Sequence, residues 1–140
     1  MQADELQRLL DSSPVHRSLH LQVTGIADDS VQLRAQPGPE HAGADGGSVL
    51  HGGVVATLLD TAATFALIAA TGTDWNTVDI RVDFLRPAPA GLLVARGSAV
   101  QVGKRLGRAT AELLAAGSDR AVACAAGTFV RAAPEAGPTP

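Results

Sequence analysis

Two features of the 140-residue chain have the residue types and spacing for chemistry: the triplet His51-Gly52-Gly53 and the carboxylate of Asp60, eight positions past Gly52. Gly weakens a helix by about 1 kcal/mol relative to Ala, so a Gly pair is a poor choice for stiffness alone. At a helix start it leaves backbone N–H groups approachable, and these carry the positive end of the helix dipole. The triplet thus offers a place for negative charge. The run that follows, up to Gly72, is rich in Ala, Val and Leu. Its polar residues Thr57, Asp60, Thr61 and Thr64 fall at i, i+3, i+4 and i+7 and so share one helical face. The other faces carry Val54, Val55, Leu58, Leu59, Phe65, Leu67 and Ile68. A helix apolar on nearly all sides is surrounded by protein, and a carboxylate buried within it needs a partner or a task.

The elements that must position these groups lie on both sides. Residues 3–11 form an amphipathic helix with Leu6, Leu9 and Leu10 on one side, ended by Ser12, Ser13 and Pro14. Residues 19–27 alternate and read as a strand. Residues 30–36, with Val31, Leu33 and Ala35 on one face, form a second, and Asp28-Asp29 turns the pair into a hairpin. A Gly- and Pro-rich loop over 37–47, which contains His41 and Asp45, delivers the chain to the long helix. A turn over 73–76 follows it. Residues 77–86 then alternate, with Val78, Ile80, Val82 and Phe84 facing one way and Thr77, Asp79, Arg81 and Asp83 the other. Pro87 and Pro89 break the run. Residues 92–102, 105–116 and 120–131 are three more strands whose tight spacing implies an antiparallel meander. Gly107, Ala109, Ala111, Ala121, Ala123, Ala125 and Gly127 pave one face with small side chains, on which the long helix can lie. The order of helix, two strands, long helix and four strands, without a repeated βαβ unit, is that of an α+β fold: an antiparallel sheet curled around one central helix. Residues 1–131 make a single domain, and the Pro-rich residues 132–140 a disordered tail.

Composition narrows the partners. Net charge is −3 without a basic cluster, which speaks against nucleic acid and against a membrane surface. Cys124 is the one cysteine, so there is no intrachain disulfide framework, and its apolar neighbours make it a core residue. The N-terminus, MQADELQRLL, is too charged for a signal peptide. Asp60 and the threonines interrupt the longest apolar run, which argues against a membrane span. A soluble, cytoplasmic protein is expected. His16 and His20 read as surface or packing residues. No His or Cys stands at metal-ligand spacing near His51, so neither a metal nor a cofactor is expected.

From Asp45 to Pro87 the chain resembles the hotdog-fold acyl-CoA thioesterases of the phenylacetate-degradation (PaaI) type. The resemblance rests on His51-Gly52-Gly53, on the acid at Asp60, and on the strand TVDIRVDFLRP that follows. The element order matches over residues 15–131. The resemblance implies hydrolysis of acyl-CoA or aryl-CoA thioesters to free acid and CoA. It also implies a homodimer as the minimal unit, commonly paired into a homotetramer.

Thioester hydrolysis needs a group to hold the oxyanion and a group to attack or to activate water. Helix-terminal amides supply the first. Gly52 N–H is the candidate, with Gly53 in support. Asp60 is the candidate nucleophile or general base; the alternative is a structural acid pinned by Thr57, Thr61 or Thr64. Eight helical residues span about 12 Å, whereas reacting atoms meet within about 3–3.5 Å. Gly52 and Asp60 of one chain therefore cannot serve the same carbonyl, but antiparallel helices across a twofold axis bring one chain's Gly52 near the other's Asp60. His51 either orients the thioester or bonds the incoming loop. At Asp45 relatives usually carry Asn, which is taken to position the nucleophile or water, and Asp45 also suits a plain turn. Thr77 matches a hydroxyl that helps hold the attacking water, and also suits a strand start. Thr61 and Thr64 complete the candidates near the substrate, and Arg81, Arg86, Lys104 and Arg105 are candidates for the CoA phosphates. Two other functions stay open: a hotdog domain that binds acyl-CoA without turnover, and a hotdog dehydratase or hydratase. The retained acid favours a hydrolase over the first, and the His-Gly-Gly context over the second.

Overall fold

The longest apolar segment becomes a 20-residue helix, and the other elements are arranged around it. The computed structural model describes residues 1–44, 46–134 and 137. In chain order the elements are α1 (Ala3–Asp11), α2 (Pro14–Ser18), β1 (Gln22–Ala27), β2 (Ser30–Ala35), α3 (Gly52–Thr71), β3 (Trp75–Phe84), β4 (Leu93–Val102), β5 (Leu106–Ala115) and β6 (Ala121–Arg131). The strands form one antiparallel sheet in the order β1-β2-β4-β5-β6-β3. By length and composition α3 would also pass for a membrane span, with a mean hydropathy of 1.8. Its apolar side chains are instead spent on the sheet: Val55, Leu58, Leu59, Ala62, Ala63, Phe65, Ala66, Leu67 and Ile68 are all buried. This is the α+β hotdog architecture that the element order and the resemblance implied.

The expected hairpin forms between β1 and β2, and the meander is β4-β5-β6. β3 does not join that meander beside β4. It lies at the far edge, against β6, because α3 carries the chain across the sheet, about 30 Å at 1.5 Å per residue, and β2 closes on β4. Several local expectations change. Pro14 does more than end α1, for it opens the short α2, where a missing N–H costs nothing. β1 starts only at Gln22, since the chain leaves α2 through His20 in the left-handed region (φ 50°). Trp75 and Asn76 belong to β3 rather than to a turn. The Trp75 indole N–H donates to Thr71 Oγ1 at 2.9 Å and ties the strand to the end of α3. Of residues 132–140, expected to form a disordered tail, 135, 136 and 138–140 lie outside the described residues.

The small-residue face does receive α3: Ala109, Ala111, Ala123 and Ala125 are buried in the core around it. The closest approach, however, is on β4, at Gly97, which the sequence pattern did not single out. A Cβ on Gly97 would run into the carbonyl of Ala62, with Ala63 N 3.0 Å away. These are backbone atoms of a helix and cannot rotate aside. Gly97→Ala is therefore expected to destabilise the fold by about 2–3 kcal/mol, in the range of core overpacking. Urea or thermal unfolding read by circular dichroism checks this.

Candidate active site

The start of α3 gives each residue of the triplet a separate part. His51 is the N-cap, with extended backbone (φ −59°, ψ 135°) and Nδ1 accepting the Gly53 N–H at 2.9 Å. It thereby satisfies one of the unpaired donors of the first turn. The imidazole folds over Gly53 so closely that a Cβ there would lie 3.0 Å from Nδ1 and 3.3 Å from Cε1. Gly53 thus makes room for the cap. Val54 and Val55 N–H both point back to the His51 carbonyl, at 2.9 and 3.3 Å. Gly52 N–H alone in this turn meets no acceptor among the described residues. It is solvent-exposed, and a Cβ on Gly52 would touch only the Phe84 ring, at 3.5 and 3.7 Å. Of the two amides expected to receive negative charge, one is therefore open and the other, at Gly53, is taken by the His51 ring. With Nδ1 accepting, the neutral ring keeps its proton on Nε2.

The loop before α3 is braced from both sides. His51 N–H donates to the His41 carbonyl at 2.9 Å, and His41 Nδ1 accepts from Gly38 N–H at 2.9 Å. His41 Nε2 lies 3.4 Å from Ser18 Oγ on α2. Asp45 lies outside the described residues.

Asp60 sits in mid-helix and is half-buried. Thr77 Oγ1 donates to its Oδ1 at 2.6 Å. Oδ2 accepts no hydrogen bond among the described residues. The carboxylate is thus held by one oxygen and offers the other. Simple alternation along β3 would have turned Thr77 away from Ile80 and Val82. A bulge corrects this: Thr77 opposes Phe129 and Asp79 opposes Thr128, so Val78 is the extra residue. Val78 is turned outward, 59% exposed. Thr77 then shares the helix-facing side with Ile80, which opposes Gly127. A bulge is invisible to a two-residue period, and it is what lets the hydroxyl reach Asp60.

The polar stripe of α3 splits. Thr61 is buried, its Oγ1 donating to the Thr57 carbonyl at 2.8 Å and lying 3.3 Å from His16 Nε2. His16 in turn bonds the Leu10 carbonyl through Nδ1 at 2.9 Å and meets Phe65 edge-on. Thr61 is therefore tied internally, to its own helix and to α2. Consecutive helix positions are about 100° apart, so a neighbour of Asp60 can face another element. Thr64 is half-buried and donates to the backbone carbonyl of Asp60 at 2.8 Å.

The basic candidates do not converge. Arg81 is exposed on the outer face and pairs with Asp83 at 3.2 Å. The Arg86 guanidinium donates to the Ala121 carbonyl, just beyond Phe84. Lys104 and Arg105 are exposed in the β4–β5 turn at the other end, where the Arg105 carbonyl holds Arg131 N–H at 2.8 Å and Arg131 stacks on Trp75 at 4.8 Å. Among the described residues no group of three or more His, Cys, Asp and Glu side chains is placed to hold a metal.

Comparison with known proteins places this geometry. The thioesterase superfamily is matched over residues 47–122, from the loop before His51 into β6. The chain is 30% identical to the medium/long-chain acyl-CoA thioesterase YigI of Escherichia coli K12, covering 71% of this chain and 74% of that one. It is 34% identical to a putative esterase of Halobacterium salinarum, with 73% and 70% covered. Among solved structures, a thioesterase family protein from Silicibacter pomeroyi superposes with a TM-score of 0.82 at 26% identity, covering 92% of this chain and 96% of that one. The E. coli PaaI protein from the phenylacetic acid degradation operon shares the fold, with a TM-score of 0.81 at 20% identity and coverage of 95% and 97%. With an apolar helix wrapped by the sheet, a capped helix mouth and a tethered carboxylate, the chain belongs to the thioesterase superfamily and is a hotdog-fold thioester hydrolase.

Proposed function

We propose that the protein hydrolyses acyl-CoA or aryl-CoA thioesters at a site built by two copies of the chain. The observation that carries this reading is the layout of β3. Thr77, which tethers Asp60, stands near one end, and Phe84, whose ring flanks the Cβ side of Gly52, stands at the other. With Val78 bulged out, six ladder steps separate the two, about 20 Å at 3.3 Å per residue. β3 is also an edge of the sheet, paired on one side only. A ten-residue edge invites a second strand. Antiparallel pairing with the β3 of a second copy, about a twofold at residue 81, sets Phe84 of one protomer opposite Thr77 of its partner, because the bulge at Val78 leaves six ladder steps between them. The open Gly52 amide of each chain then comes to the carboxylate of the other.

At each such site the Gly52 N–H and the helix dipole of one protomer hold the carbonyl oxygen as negative charge develops on it. Asp60 of the partner, fixed through Oδ1 by Thr77, presents Oδ2. It either takes a proton from water as that water adds to the carbonyl carbon, or adds directly and is released by water. In both cases the C–S bond breaks and CoA leaves as the thiol, with the acid as the second product. His51 Nε2–H at the same helix mouth orients the substrate. Dimers paired further into a tetramer are part of this proposal.

Release of free thiol from a panel of acyl-CoA thioesters tests the reaction. Asp60→Asn is expected to slow turnover by about 10²–10⁴-fold with the fold intact; near-native rates would remove Asp60 from the mechanism. Thr77→Val is expected to lower kcat more than it raises KM, because it frees Oδ1 without touching the substrate. Gly52→Ala and Gly53→Ala should separate activity from stability. The first has space beside Phe84 and is expected to keep the melting temperature while losing activity. The second displaces the His51 cap and is expected to cost about 1 kcal/mol of stability. Mixing Asp60→Asn chains with Gly52→Val chains in equal amounts is expected to restore about a quarter of wild-type activity, because half the dimers are mixed and each holds one intact site. No recovery would place both groups in one chain.

A further inference from the structure

We infer that the ring of Phe84 is the wall of the acyl subsite and selects among acyl groups; this rests on the hydrolase reading above. The chain has three Phe residues. Phe65 and Phe129 are buried at 6% and 0% exposure, whereas Phe84 is 58% exposed. An isolated exposed side chain of this kind needs no explanation by itself. Its place does. Phe84 opposes Ala123 across the β3–β6 pair, on the helix-facing side, and its Cε1 and Cζ lie 3.5 and 3.7 Å from the position of a Gly52 Cβ. The ring therefore flanks the residue whose amide, alone in the first turn, meets no acceptor among the described residues.

A carbonyl oxygen bonded to Gly52 N–H sits about 2.9 Å from that nitrogen. The ring stands on the Cβ side of the same residue, so a carbon chain carried on that carbonyl has the ring as its nearest apolar neighbour on that side. The ring offers no hydrogen bond. The CoA arm near the sulfur carries amides that lose their water against such a surface, whereas an apolar acyl chain or an aryl group gains by burial there. The absence of a side chain on Gly52 keeps the space between amide and ring open for that group. The subsite thus belongs to the protomer that supplies Gly52, while its partner supplies Asp60.

The test compares kcat/KM of wild type, Phe84→Leu and Phe84→Ala on acetyl-, hexanoyl-, decanoyl- and phenylacetyl-CoA, with thermal melting as the control for folding. The loss in Phe84→Ala is expected to grow with the apolar surface of the acyl group. It should reach about tenfold more for the largest acyl group than for acetyl, mainly through KM. Phe84→Leu should fall between. A loss of the same factor on every thioester, or no loss on any, overturns the assignment. Should wild type cleave none of the four, the hydrolase reading itself falls; should it cleave them with selectivity untouched by both variants, the fault lies with Phe84 alone.

Discussion

The burial of α3 against the sheet is the constraint on which the rest depends. A helix whose side chains are apolar on almost every face loses free energy in water at each exposed turn. β2, β4, β5 and β6 take it up, and the approach is so close at Gly97 that helix backbone and strand backbone nearly touch. That contact sets how deep the helix lies. Its depth in turn decides that Asp60 is half-buried, and that a hydroxyl on β3 can reach it at 2.6 Å. A looser helix would leave the carboxylate in water and the threonine without a partner.

Helix geometry then creates a chemical asymmetry from a short motif. The first turn of any helix carries unpaired N–H groups. Here the His51 ring takes one, its carbonyl takes two, and the amide of Gly52 is left over. The two glycines serve opposite ends. Gly53 gives up a side chain so that the cap can close, which favours stability. Gly52 gives one up where nothing in the fold demands it, since a Cβ would find ordinary contact distances. A position whose glycine is not needed for packing is one where space itself has a use.

β3 ties the two halves together. Its bulge at Val78 brings Thr77 to Asp60, its other end brings Phe84 to Gly52, and its outer edge is unpaired by any strand among the described residues. The distance between its ends exceeds any side chain's reach, so within one chain the Gly52 amide and the Asp60 carboxylate stand apart. The strand that separates the two groups is also an edge of the sheet.

Much of this was legible in the residues. Hydrophobic periodicity marked α3, the hairpin and the three-strand meander, because burial of one face imposes that period. Spacing along α3 put Gly52 and Asp60 too far apart for one carbonyl, because the helix rise is fixed. The rest depended on contacts between segments distant in the chain. The place of β3 beside β6 follows from where α3 ends in space. The turning of Thr77 toward Asp60 follows from one extra residue, Val78, which no alternating pattern contains. The division of labour within the Gly pair follows from the way the His51 ring folds back. The burial of Thr61 follows from His16, forty-five residues earlier. Local sequence determines which groups exist and how far apart they stand on one element; which of them meet is decided by packing, since a hydrogen bond or a van der Waals contact needs an approach of a few ångströms that only the folded chain defines.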